Sequence, residues 1–281
     1  MPLPVKIVTD STADLPEEFA LTNDISIVPL YVNFPNKTYR DGIDIKPHDF
    51  YPMLKECKEL LPKTSTPTIE DFKQLYESLL AKGHQILSIH ISSGLSSTVN
   101  MAESAAKLVG DTIHVFDSKS ISLGIGLQIT EAIDLLKSNL PLEKILIQLQ
   151  EIRERTEVCF SLDTLEYLEK GGRIGKVSAL LGHILKIKPV IRVENGIYVP
   201  FDKVRNQTQA INSMVSHMLK TLGGKKPRYI AVAHGAAEDA ALKLKEAIEQ
   251  ATGMKVSYLQ EVGPVIGVHT GPGTLGLAFT Y

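Results

Sequence analysis

Short apolar runs rich in β-branched residues alternate along the chain with longer stretches of helical periodicity, and most junctions between them are polar. Period-2 or continuous apolar runs predict strands at Val5–Val8, Ile25–Val32, Gln85–Ile91 and Thr112–Phe116. Between them the 3.6-residue period predicts a short helix opening near Leu15-Pro16, then helices over Asp49–Leu60, Ile69–Lys82, Val99–Val109, Ser122–Lys137 and Pro141–Arg155. Pro29 marks the second strand as an edge strand, because proline cannot donate to a ladder. Thr68 with Asp71 three residues on resembles a capping box, and Gly83 stands where a helix-ending glycine belongs.

The second half reads differently. Val158–Leu162 predicts a strand, followed by a short helix ending at Lys170-Gly171-Gly172. Lys188–Val193 and Ile197–Phe201 flank Asn195-Gly196, a strong signal for a tight antiparallel hairpin. Helices are expected over Asn206–Leu222 and Ala237–Thr252, with strands at Tyr229–His234, Lys255–Gln260, Val265–Thr270 and Thr274–Tyr281. The fold class is therefore α/β, in two domains. Residues 1–155 form a mostly parallel sheet flanked by helices, and residues 156–281 a mixed sheet with helices. With no flexible linker between them, a ligand is expected between the domains.

Candidate chemistry gathers where strands end. Thr9-Asp10-Ser11-Thr12, Thr64-Ser65-Thr66-Pro67-Thr68, Ser92–Thr98, Asp117-Ser118 and Gly263–Gly273 are hydroxyl- or glycine-rich, and most close a strand-like run. In an open α/β sheet the loops at the carboxyl ends of strands converge on one edge, where ligands bind. Hydroxyls and bare N–H groups there suit an anionic head group. Ser92–Thr98 lies between a strand and a helix, at the positive end of that helix. A single capping residue accounts for one hydroxyl, yet this loop carries five.

Several patterns are set aside. Gly271-Pro272-Gly273-Thr274-Leu275-Gly276 spells a dinucleotide fingerprint, but no helix or distant acidic residue follows it before Tyr281. Those glycines fit a tight turn or close packing. His269 has no acidic neighbour in sequence, and His48, His84, His90, His114, His183, His217 and His234 lack metal-ligand spacing. Asp10, Asp117 and Asp163 follow or end strands as a polar network or as caps. Lys170-Gly171-Gly172-Arg173-Ile174-Gly175-Lys176 reads either as a complemented helix end or as an arginine offered to a phosphate or a partner.

Composition narrows the partners. Thirty basic against thirty-two acidic side chains in 281 residues give a net charge of −2, which argues against a nucleic-acid binder. No run reaches the length of a spanning helix, the start shows no signal-peptide pattern, and Cys57 and Cys159 form no motif. The expectation is a cytoplasmic protein with no metal and no cofactor.

Thr9–Pro16, Thr64–Thr68, Ser92–Thr98, Asp117-Ser118, Leu168–Arg173 and Gly263–Gly276, in that order, resemble the DegV family of bacterial proteins. Where the family shows a Thr-Ser-Gln-Pro-Ser type segment, this chain has Thr64-Ser65-Thr66-Pro67-Thr68. The resemblance implies a lipid-binding protein that holds one long-chain fatty acid between two domains. It also implies a non-enzymatic role as the substrate-carrying subunit of a fatty acid kinase, whose ATP-binding subunit converts the acid to an acyl-phosphate for phospholipid synthesis. Thr64, Ser65, Ser96 and His269 would bind the carboxylate, and Arg173, with Lys170 and Lys176, would dock the kinase. Membrane contact would be transient at most. The rival readings are a Ser96–His269 acyl hydrolase, which lacks the G-x-S-x-G elbow, and a nucleotide binder, which lacks a P-loop lysine.

Overall fold

The computed structural model describes residues 3–57, 60–138, 140–180 and 187–281. The chain begins β1 (Val5–Asp10), α1 (Glu17–Thr22), β2 (Ser26–Val28), β3 (Tyr31–Phe34), β4 (Lys37–Arg40), α2 (Pro47–Glu56) and β5 (Lys63–Ser65). It continues α3 (Ile69–Leu80), β6 (Gln85–His90), α4 (Thr98–Val109), β7 (Ile113–Asp117), α5 (Leu123–Lys137), α6 (Leu142–Glu154), β8 (Thr156–Ser161) and α7 (Glu166–Lys170). The remainder is β9 (Lys188–Glu194), β10 (Ile197–Val204), α8 (Gln207–Leu222), β11 (Tyr229–His234), α9 (Glu238–Thr252), β12 (Tyr258–Glu261), α10 (Pro264–Thr270) and β13 (Leu275–Thr280). Lys58, Glu59 and His183, touched by the sequence reading, lie outside the described residues.

Two main sheets form. A four-stranded parallel sheet, in the order β2-β1-β6-β7, is built from the first half of the chain. A six-stranded mixed sheet, in the order β10-β9-β8-β13-β11-β12, is built from the second, with β11–β12 its parallel pair. Alternation along β1 and β6 sends Val8 and Ile86 toward α3 and α4, and Ile7, Leu87 and Ile89 toward the opposite face. One face of the mixed sheet packs on α8 and α9 through Met214, Met218, Leu244 and Ile248, while Val158, Phe160, Ala231 and Ala278 join the core shared with the parallel sheet. α5 belongs to that shared core and is buried continuously from Leu123 to Ile133. Buried even at Gln128, Thr130 and Glu131, this stretch has no solvent face, and α5 contacts strands of both sheets.

Local signals were honoured where they had a geometric cause. Thr68 and Asp71 form the reciprocal capping box of α3. Asn195 and Gly196 take φ of +51° and +80°, which closes β9 and β10 in the expected hairpin.

Two expectations are corrected. The run Ile25–Val32 is not one strand: it breaks at Pro29-Leu30 into β2 of the parallel sheet and β3 of a small antiparallel sheet, β4-β3-β5. Proline's missing N–H ends the first ladder at that point. The run Val265–Thr270, expected as a strand, is the helix α10. Pro264 at its first position presets a helical φ, and all seven of its residues are buried, which erased the period that betrays a helix. Gly267 lets α10 press against α2, where a Cβ would come within 2.5 Å of the Phe50 ring. Among the described residues no helix is long and apolar enough to cross a membrane.

Candidate functional site

Five separate segments converge on one cavity between the sheets. Thr64 comes from β5, Ser96 from the loop after β6, Arg173 from the turn after α7, Tyr198 from β10 and His269 from α10. β5 pairs with β3 so that Thr64 lies opposite the buried Val32. Side chains alternate along a strand, so Ser65 lies on the other face, exposed and hydrogen-bonded by the Asn33 amide at 3.2 Å. The structure thus brings Thr64, Ser96, His269 and Arg173 together and leaves the Ser65 hydroxyl outside.

His269 is the most constrained of these groups. Its Nε2 lies 2.8 Å from Thr64 Oγ1, and its Nδ1 is buried without a hydrogen-bond partner among the described residues. The ring proton therefore belongs on Nε2, donating to Thr64. That leaves the Thr64 hydroxyl proton to point at whatever occupies the cavity. Burial, and then the nearby Arg173 charge, push His269 down to about 4, so it is neutral near pH 7. Gly171 packs directly on the ring, and a Cβ there would come within 2.3 Å of Nδ1.

Ser96 is half-buried, and its Oγ is 2.9 Å from Thr98 Oγ1. Two other hydroxyls of its loop are engaged elsewhere. Ser92 donates to the Gly196 carbonyl at the hairpin tip (2.7 Å), and Ser93 accepts from Lys119 (2.9 Å). Arg173 is half-buried, with Nη1 donating to the Gly171 carbonyl at 2.9 Å. Its guanidinium thus lines the cavity itself, a position the sequence did not reveal. Lys170 is engaged with Glu166 at 2.6 Å on the surface.

A second cavity lies beside the first, sharing Ile121, Tyr198 and Ile266 as walls. This apolar channel holds about 420 Å³ of space between its wall atoms, open solvent included. Val158, Phe160 and Leu277 supply apolar wall. Two threonines and a serine also line it, but their side chains already have acceptors. Thr270 donates to the Ile266 carbonyl, Thr274 to the Gly271 carbonyl and Ser122 to Asp14. Tyr198 and Ile266, which line both cavities, escaped the sequence reading. Tyr198 stands two residues past Gly196, so the hairpin register is the signal that marks it as inward-facing.

The remaining candidates sort into local roles. Asp10 caps the turn at Ser11–Ala13 and holds His90 Nδ1 at 2.9 Å, Asp117 binds Lys119 and the Ser93 N–H, and Asp163 pairs with Lys188. Gly271 and Gly273 take φ of +72° and +83°, and a Cβ on Gly271 would strike the Tyr167 ring. Tight turn and close packing together explain them. A Ser–His–Asp chain does occur, with Ser88 Oγ 2.7 Å from His90 Nε2, but all three members are buried and Tyr76 closes its end. At the cavity, His269 contacts Thr64 and not Ser96, so the Ser96–His269 pair of the hydrolase reading is not formed. Among the described residues no group of three or more His, Cys, Asp or Glu side chains is placed to hold a metal ion.

Comparison with known proteins gives this geometry its relatives. The family model described as "Uncharacterised protein, DegV family" matches residues 4–281. A DegV domain-containing protein of Staphylococcus aureus (strain COL) is 35% identical over 271 residues, 96% of each chain. Protein DegV of Bacillus subtilis (strain 168) is 33% identical over 279 residues, 99% of each. Among solved structures, a fatty-acid-binding DegV family protein of Thermus thermophilus superposes with a TM-score of 0.93 at 35% identity, covering 99% of this chain and 100% of its own. A stearic acid-binding protein of Eubacterium ventriosum gives 0.93 at 30% identity and 98% coverage of both chains. The fatty acid-binding DegV of Bacillus subtilis gives 0.90 at 33%, with full coverage of both. The chain belongs to the DegV family.

Proposed function

We propose that this chain binds one long-chain fatty acid, with its tail in the apolar channel and its carboxylate against Thr64, Ser96, His269 and Arg173. The observation that carries the reading is an apolar cavity set directly beside a polar one, the two sharing Ile121, Tyr198 and Ile266 as walls. That its structural neighbours bind fatty acids supports it. The tail supplies most of the affinity, at about 0.8 kcal/mol per buried methylene. Ten buried methylenes thus contribute ~8 kcal/mol before the costs of ordering. Thr64 donates its proton to the carboxylate because its oxygen already accepts from His269. Ser96 adds a second donor, and Arg173 balances a charge whose burial is otherwise costly.

The bound acid then serves as substrate for the ATP-binding subunit of a fatty acid kinase in the cytoplasm, with at most transient membrane contact. A carboxylate oxygen attacks the γ-phosphorus of ATP, the bond to ADP breaks, and an acyl-phosphate forms. A neutral His269 adds no positive charge to the acid, which leaves the carboxylate nucleophilic. Arg173 docks the kinase from the rim of the same cavity, together with Lys176. The test is formation of acyl-phosphate from ATP by this chain plus a kinase subunit. Two readouts then separate the roles of Arg173. Arg173→Ala is expected to weaken retention of the acid about tenfold, and to lower turnover further once the acid is saturating. Unchanged turnover at saturation removes the docking role and leaves the carboxylate role. The hydrolase reading has no such support, since Ser96 and His269 are not paired.

A further inference from the structure

α10 forms one wall of both cavities, and its amino end has an unusual anchor. A helix leaves its first N–H groups without internal partners, and α10 is too buried for water to serve them. Its cap residue is Gly263, which has no side chain to offer. The partners come instead from the first half of the chain. Asp14 accepts from the Gly263 N–H at 2.8 Å, and the Asp41 carboxyl is faced by the Val265 N–H. A Cβ on Gly263 would stand 2.9 Å from one Asp14 oxygen and 3.4 Å from an Asp41 oxygen, so glycine is what lets both carboxyls approach.

The other carboxylate oxygens are also held. Ser11 donates to Asp41 at 2.7 Å and itself accepts from the Leu30 N–H at 3.0 Å, while Ser122 donates to Asp14. Ser122 immediately precedes α5 and lines the apolar channel, so Asp14 ties two channel walls together. Asp14 and Ser122 both carry positive φ, +49° and +52°, although neither is glycine. Such backbone persists only where the surroundings over-determine it, and it clusters at functional sites.

The charges around this anchor are nearly all of one sign. Asp10 of β1, Glu17 of α1 and Glu261 of β12 line the same groove, and Tyr51 of α2 lies beside it. Among the described residues that line the groove the only cation is Lys46, which pairs with Glu17 at 3.1 Å. Keeping two carboxyls buried without a cation is costly. A well-packed apolar contact would stabilise the fold better, but it would not orient backbone N–H groups.

We propose that Asp14 and Asp41 are positioning residues for the fatty-acid site, holding the amino end of α10 and thereby fixing where Ile266 and His269 stand. The inference rests on the reading of the cavity under Proposed function. A helix rises about 1.5 Å per residue, so a shift at Gly263 is carried rigidly to His269, roughly 9 Å away.

Burial raises Asp14 to about 8 and Asp41 to about 7, from 3.8. Across that interval the folded chain holds more protons than the unfolded one, so stability falls as pH rises. His269, held down to about 4, acts in the opposite sense, but only below its unfolded value of 6.5. The window from pH 6.5 to 8 therefore belongs to the two aspartates. The unfolding temperature is expected to drop there by about 4 °C, and Asp14→Asn to flatten the drop.

The decisive test compares Asp14→Ala with Asp14→Asn, measuring stearate affinity and the ¹⁵N resonance of His269 Nε2. Asp14→Ala is expected to weaken stearate binding about tenfold and to move the His269 resonance. Asp14→Asn, which keeps an oxygen toward the Gly263 N–H, recovers both. Unchanged affinity and resonance in Asp14→Ala overturns the proposal, as does an Asn variant no better than Ala. Should Asp14→Ala fail to fold, Asp41→Ala and Asp41→Asn replace the pair, and the same two outcomes decide. A wild-type chain that takes up no stearate overturns the lipid reading alone, because the His269 resonance reports on the anchor without any ligand.

Discussion

Replacing Thr64 with Val and Ser96 with Ala together is expected to weaken retention of a long-chain fatty acid by a hundredfold or more. In the proposed site each hydroxyl donates to an ionised carboxylate, and such bonds contribute about 1.5–3 kcal/mol apiece. Losing both removes ~3–6 kcal/mol, if the two act independently. Thr64→Val keeps the branched shape opposite Val32, so the small sheet that carries it should persist. The His269 Nε2–H loses its acceptor too, at about 1–3 kcal/mol, so a modest fall in unfolding temperature accompanies the larger loss of affinity. A competition assay with a fluorescent fatty acid measures it, and a loss below threefold would mean that the polar end of the cavity does not hold the carboxylate.

The second large effect lies at the apolar end. Gly276 lines the channel, and a Cβ there would make only ordinary contacts, the nearest being Ala233 Cβ at 3.5 Å. A leucine at this position accordingly fits the backbone and projects into the channel. Displacing four methylenes of the tail would cost ~3 kcal/mol, a loss above a hundredfold for an eighteen-carbon acid. A twelve-carbon acid, which does not reach the obstruction, should bind nearly as before. Equal losses for both lengths would place the tail elsewhere. Selective loss of the long acid, with the polar end intact, separates this variant from the double hydroxyl variant.

Much of the frame was legible because local chemistry and tertiary structure agreed. The parallel sheet followed from alternating strand and helix signals, the box at Thr68 from two residues, and the hairpin from Asn195-Gly196. What failed was whatever burial had erased. α10 has no polar face, so Val265–Thr270 read as β-branched strand when it is a helix of the shared core. The break at Pro29 was legible as an edge signal, yet the transfer of the chain to a separate sheet depends on β5, which arrives thirty residues later in sequence.

The site was legible in part for the same reason. Thr64 and Ser96 stood in hydroxyl-rich segments at the ends of runs, His269 took its role only from the family resemblance, and the fold brings all three to one cavity. Ser65 was assigned beside Thr64 by adjacency, whereas a strand sends neighbours to opposite faces. Arg173 read as a surface cation because glycines surround it, and only the packing of the α7 turn against Leu95 reveals its half-buried place. Asp14 lay inside a matching motif with no role attached to it. Its partner, Gly263, is 249 positions away.

The most direct measurement is native mass spectrometry of the purified wild-type chain, followed by denaturation and lipid extraction. One fatty acid per chain is expected, released on denaturation and largely lost from the Thr64→Val, Ser96→Ala double variant. A chain that carries no lipid and takes up no added fatty acid would contradict it.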